Sequence, residues 1–152
     1  MSYIRNVELS DAEVLVEIYR PYVENTTISF ECETPSVDEF RSRIENISKK
    51  YPYIVMVEDD EIVGYAYAGR FKGRKAYDWC VETTIYVRED KKGGGYGKKL
   101  YLELEKRLKK QNILNMYACI AYTDNEDEHL TNNSMQFHEH MGFRLIGTFK
   151  KC

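Results

Sequence analysis

Val87-Arg88-Glu89-Asp90-Lys91-Lys92-Gly93-Gly94-Gly95-Tyr96-Gly97-Lys98 decides how this chain is read. An apolar, β-branched run enters it and a helical pattern leaves it. Between them stand three consecutive glycines and two lysine pairs. Glycine permits positive φ and lets backbone N–H groups converge without a Cβ in the way. The start of the following helix adds unsatisfied N–H groups and the positive end of its macrodipole. A strand-to-helix junction of this composition can grip a diphosphate, with Lys91, Lys92, Lys98 and Lys99 supplying charge. Two familiar glycine loops do not fit. The dinucleotide fingerprint needs glycine where Lys98 stands, and a P-loop needs Ser or Thr where Lys99 stands. A flexible turn leading into a solvated helix is the plainer alternative.

Outward from this loop, the spacing predicts a helix over Tyr96–Lys110 with Leu100, Leu104 and Leu108 on one face. Strands are expected over residues 2–7, 53–58, 62–69, 79–87, 115–122 and 143–149. Ser10-Asp11-Ala12-Glu13 reads as a capping box opening a helix that Pro21 bends or shortens. Ser36-Val37-Asp38-Glu39 opens another, with Phe40, Ile44 and Ile47 as its stripe. Asn132 or Asn133 caps a last helix through Met141, which Gly142 stops. The acidic segment Asp124–Glu128 reads as a loop. The order β-α-α-β-β-β-α-β-α-β is α/β: a mixed central sheet with helices on both faces, in one domain over residues 1–152.

The 152 residues carry a net charge of −3 with basic residues dispersed. That balance argues against nucleic acid as a partner. No apolar run approaches the roughly 20 residues that span a bilayer, so no membrane is expected either. Cys32, Cys80, Cys119 and Cys152 form no C-x-x-C pair and read as reduced thiols of a cytoplasmic protein. His138-x-His140 points to different helix faces with no cysteine nearby, so no metal is expected.

Lys92-Gly93-Gly94-Gly95-Tyr96-Gly97 resembles the Q/R-x-x-G-x-G/A signature of the GNAT N-acetyltransferases, with Lys92 where Gln or Arg is usual. A closer resemblance is to the phosphinothricin (methionine sulfoximine) acetyltransferase group. It rests on Thr26–Glu31, Gly64–Gly69, Ala76–Trp79, Val81–Val87 and Phe137–Phe143, in that family's order. The resemblance implies acetyl-coenzyme A as co-substrate, a small amino-acid-like amine as acceptor, and a homodimer. It implies that the backbone of Ile85, Tyr86 and Val87 pairs with pantetheine, and that the amides of Lys92, Gly93, Gly94, Gly95, Tyr96, Gly97 and Lys98 hold the pyrophosphate. Glu82 matches the family's general base. Phe30, Arg74 and Tyr77 match an acceptor pocket, with Arg74 and Tyr77 toward its carboxylate. Relatives usually continue past Cys152 into another strand, so either the domain is expected to be a shortened form or its sheet edge to be completed some other way.

On its own pattern Glu82 alternates with Thr84 and Tyr86 and could simply face solvent. His138 stands where many of that superfamily carry a tyrosine that protonates the thiolate, and an imidazolium could do the same. Packing beside Phe137 and Met141 is the alternative. Two other activities stay open: acetylation of a protein or peptide amine, and a catalytically silent coenzyme A-binding module.

Overall fold

Tyr53, Val55 and Val57 face one side of a strand and Ile54 and Met56 the other, and all five are buried. A strand apolar on both faces needs a layer on each side. One layer is α1 (Ala12–Glu24) with α2 (Val37–Ser48), which add Leu15, Ile18, Tyr22, Phe40 and Ile44. The other is α3 (Tyr96–Lys110), which adds Leu100, Tyr101, Leu104 and Leu108. Between them lies a sheet ordered β1 (Ser2–Asn6), β2 (Tyr53–Glu58), β3 (Glu61–Arg70), β4 (Cys80–Val87), β5 (Asn115–Tyr117). Neighbours run antiparallel from β1 to β4, and β5 joins β4 in parallel. A last helix, α4 (Asn133–His140), follows β5. The computed structural model describes residues 1–150, so Cys152 and the end of the expected domain lie outside the described residues. Among those described, no helix is long and apolar enough to cross a membrane.

Local chemistry accounts for most boundaries. The Ser36 hydroxyl accepts the Glu39 amide at 3.1 Å and starts α2. Asp59 and Asp60 both have positive φ, 49° and 65°, as a two-residue hairpin between β2 and β3 demands. Gly142, at φ 97°, ends α4. There the Phe143 amide reaches the His138 carbonyl at 3.0 Å and the Gly142 amide reaches that of Glu139 at 3.0 Å, a Schellman closure.

Several expectations are corrected. No capping box operates at Ser10: a 3-10 turn over Leu9–Asp11 precedes α1. Asp11 is instead buried, accepting the Glu8 amide at 2.8 Å and the fork of Arg5 at 2.7 and 2.9 Å. Pro21 lies inside α1, which runs on through the buried Tyr22 and Val23 and ends three residues later at Glu24. The strand expected over 115–122 stops at Tyr117, where its pairing with β4 ends. The strand expected over 143–149 is absent: Leu145, Ile146 and Phe149 are exposed, and among the described residues no neighbouring strand receives their backbone. Alternating apolar residues suit a strand but do not supply its partner.

Leu104, fully buried between α3 and the sheet, reports on this packing. Leu104→Ala is expected to cost about 2–5 kcal/mol in urea unfolding, with little change in the urea dependence itself.

Candidate active site

β3 pairs with β4 from Val81 to Val87, but β5 pairs with it only at Cys80, Val81 and Glu82. Beyond Glu82 the two parallel strands part. The β5-facing edge of Thr83–Val87 is left without a ladder partner, and the chain after Tyr117 leaves the sheet. A wedge-shaped cleft opens there, with Glu82 at its root.

A buried string of side chains stands where the strands separate. Thr83 Oγ1 lies 3.2 Å from the Tyr117 carbonyl and 3.2 Å from the Tyr101 hydroxyl. Tyr101 Oη lies 2.7 Å from His138 Nε2, and His138 Nδ1 lies 2.6 Å from the Ser134 carbonyl. A carbonyl can only accept, which places the imidazole proton on Nδ1. Nε2 faces the Tyr101 hydroxyl, which can donate to a neutral ring or accept from a charged one. Burial among Tyr101, Phe137 and Phe143 holds its pKa below the ordinary value. The string ties β4, β5, α3 and α4 together at the point of the wedge.

The cleft widens into a cavity of about 290 Å³. Its lining includes Phe30, Glu31, Arg43, Tyr67, Glu82 and Tyr86. The tyrosines remain phenols at neutral pH: burial raises each, Tyr86 to about 12. The Cys119 thiol is raised by burial and by the Glu82 carboxylate beside it. Glu82, half-buried, lines the cavity beside the exposed Cys119. Phe30 lines the cavity with most of its ring exposed. Arg74 and Tyr77 sit apart from this lining, at a 3-10 turn between β3 and β4. There Tyr77 meets Phe71, whose ring stacks on Tyr117 at 4.4 Å.

A 3-10 turn over Glu89–Lys91 links β4 to the glycine loop. Gly93 and Gly95 adopt φ of 85° and 81°, which side chains rarely tolerate. Gly94 and Gly97 are required for space instead. A Cβ on Gly94 would lie 2.7 Å from the Tyr96 ring, and one on Gly97 would lie 2.9 Å from Phe137. Tyr96 is anchored by a hydrogen bond to Glu58, while Phe137 neighbours the cavity-lining His138. Gly97 thus lets α3 approach Phe137 of α4 beside the cleft. Gly95 caps α3 without a side chain, and the first bond within the helix runs from the Lys99 amide to the Gly95 carbonyl at 3.2 Å. The amides of Tyr96, Gly97 and Lys98 have no side-chain cap, and residues 92–95 and 98 are exposed. Lys92 extends over the Tyr22 ring, 4.8 Å from its centroid. Free donors, open space and lysines suit a diphosphate.

Sequence reasoning passed over Arg43, Glu31 and Tyr101. Arg43 follows Phe40 by three residues and precedes Ile47 by four, so it flanks the apolar stripe of α2. That offset was a usable sign that its side chain reaches inward.

A family model of the acetyltransferase (GNAT) domain matches residues 4–152. The chain is 31% identical over 147 residues to a phosphinothricin N-acetyltransferase of Streptomyces viridochromogenes, covering 97% of this chain and 76% of that protein. It is 29% identical to an L-methionine sulfoximine/L-methionine sulfone acetyltransferase of Pseudomonas aeruginosa, covering 95% and 81%. Its fold is similar to a crystal structure of a GNAT superfamily phosphinothricin acetyltransferase from Sinorhizobium meliloti in complex with AcCoA. That match has a TM-score of 0.86 and 32% identity, over 96% of this chain and 76% of that one.

Because the folded protein holds His138 neutral, the unfolded chain binds more protons once the pH falls below its ordinary value of 6.5. This group's contribution is therefore present above 6.5 and is lost as the pH drops toward the depressed folded value. His138→Gln is expected to unfold more easily at pH 7.5 and to lose less further stability at pH 5.5 than the wild type, as read by urea denaturation at both.

Proposed function

The chain belongs to the GNAT acetyltransferase family, and from that premise we propose that it transfers acetyl from acetyl-coenzyme A to the amine of a small amino-acid-like acceptor. One observation carries this reading. β4 and β5 part at Glu82, leaving a free strand edge that runs from a carboxylate-rooted cavity to an uncapped, glycine-lined helix start. The backbone of Ile85, Tyr86 and Val87 takes the pantetheine arm along that edge. The amides from Lys92 to Lys98 hold the pyrophosphate, with Lys92 and Lys98 adding charge. The names of the similar proteins above supply the acceptor class, phosphinothricin or methionine sulfoximine and its sulfone.

Glu82 acts as the base. An α-amino group has a pKa of about 7.7–8.0, so a carboxylate needs to remove its proton only modestly ahead of attack. The neutral amine then adds to the thioester carbonyl, and an N–H of the β4 edge steadies the oxyanion. Collapse expels the thiolate, which takes up the second proton shed by the nitrogen, and the first proton passes from Glu82 to solvent. His138 is reassigned from acid to positioning residue. Its Nδ1 proton is committed to the Ser134 carbonyl, its Nε2 is engaged with the Tyr101 hydroxyl, and burial disfavours the charged ring.

The reading includes a homodimer. Trp79 and Leu114, linked by a 2.8 Å hydrogen bond from the Leu114 amide to the Trp79 carbonyl, present exposed apolar side chains suited to such a contact.

In a thiol-release assay over an amino-acid panel, Glu82→Gln is expected to lower kcat by about 10²–10⁴-fold, with acetyl-coenzyme A affinity kept. Gly95→Val, strained at positive φ, is expected to weaken acetyl-coenzyme A binding in calorimetric titration. Unchanged turnover in the first variant would remove Glu82 from the chemistry.

A further inference from the structure

β4 turns its backbone alternately toward β3 and toward the cleft. The Arg88 amide donates to the Val63 carbonyl at 2.8 Å, continuing the ladder with β3, while the Trp79 carbonyl accepts from the Leu114 amide on the other side at 2.8 Å. In an antiparallel pair these directions alternate along the strand, so Thr83, Ile85 and Val87 point their amides and carbonyls at the open edge. The last carbonyl of that edge is already taken. The Tyr22 hydroxyl, from α1, donates to the Val87 carbonyl at 2.5 Å. The ring of the same tyrosine lies beneath Lys92, whose Nζ is 4.8 Å from its centroid. We propose that Tyr22 is a positioning residue for the co-substrate, its ring holding the Lys92 ammonium where the diphosphate arrives. This rests on the acetyl-coenzyme A site argued above.

Neighbouring cations show why Lys92 needs such a support. Arg88 is paired with Glu61 and Asp90, and Lys91 Nζ lies 3.6 Å from Glu58. Among the described residues Lys92 has no carboxylate partner of this kind and rests on the ring instead. A lysine is a point charge on a flexible stem, without the planar fork that orients an arginine. The face of a phenol ring attracts the ammonium from one side and leaves N–H groups free for phosphate oxygens. Tyr22 is itself fixed. It is 4% exposed, its ring centroid lies 5.0 Å from that of Tyr86, and its hydroxyl is tied to Val87. Burial raises the pKa of that hydroxyl, so it stays a donor. Val87 and Lys92 flank the 3-10 turn over Glu89–Lys91. One side chain of α1 therefore holds both ends of the connection between the pantetheine edge and the glycine loop.

The test is a double-mutant cycle on acetyl-coenzyme A affinity, read by calorimetric titration, with thermal melts to establish that each variant is folded. Lys92→Met is expected to weaken binding about 10-fold in the wild type, the scale of a hydrogen bond to a charged group, but no more than about 2-fold in a Tyr22→Leu background. Tyr22→Phe keeps the ring, and in that background Lys92→Met is again expected to cost several-fold. Equal losses in all three backgrounds would leave Tyr22 a merely structural residue and overturn the assignment, as would a Lys92→Met variant that binds normally. The wild type supplies an independent reading should Tyr22→Leu fail to fold. By NMR, the Lys92 ε-methylene protons are expected to be shifted upfield by the ring and to stay upfield when desulfo-coenzyme A saturates the site. An ordinary shift in either state overturns the assignment. A wild type that binds no acetyl-coenzyme A overturns the co-substrate reading and this inference together. Binding with additive losses overturns this inference alone.

Discussion

Three residues of parallel pairing between β4 and β5 govern the rest of this molecule. Had the ladder continued past Glu82, the backbone of Thr83–Val87 would be satisfied and the interior would close. Because it stops, one strand presents amides and carbonyls to a cleft instead of to a neighbour. Buried backbone polar groups demand partners, so a fold that leaves such an edge inside a cleft is shaped for a ligand that can supply them. The string from Thr83 through Tyr101 to His138 sits at the fork and uses the polar groups that would otherwise be stranded there. Burial among Tyr101, Phe137 and Phe143 is what disfavours a charge on this histidine.

The two ends of the cleft follow different logic. At the glycine loop, backbone does the work and side chains are excluded, by φ at Gly93 and Gly95 and by the rings of Tyr96 and Phe137 at Gly94 and Gly97. At the cavity, side chains do the work: phenols that burial keeps protonated, two carboxylates and one guanidinium. The first end can be indifferent to the acceptor and the second indifferent to the nucleotide. Such a division lets one scaffold keep its co-substrate while the acceptor changes.

Much of this was readable in the chain itself. α3 runs over Tyr96–Lys110 as its leucine spacing predicts, and Ser36 caps α2 as its position before Glu39 predicts. These signals are local: a periodicity, a cap, a glycine. The failures were of another kind. Residues 118–122 and 143–149 have strand composition, yet a strand exists only beside another strand, and the parting of β4 from β5 is a tertiary event that no window of sequence contains. Likewise, Glu82 and Phe30 were found through resemblance, whereas Arg43 and Glu31, twelve residues apart, meet only once α2 packs across the loop that follows α1. Arg74 stands at the turn between β3 and β4, outside the lining of the cavity.

The central claim is that the free edge of β4 and the glycine loop together receive acetyl-coenzyme A. Backbone amide chemical-shift mapping by NMR during titration with desulfo-coenzyme A tests it directly. The account predicts saturable shifts concentrated at Ile85–Val87 and at Lys92–Lys98, with little change along β1 and β2. Saturable binding that leaves both segments unmoved, or no binding at all, would contradict it.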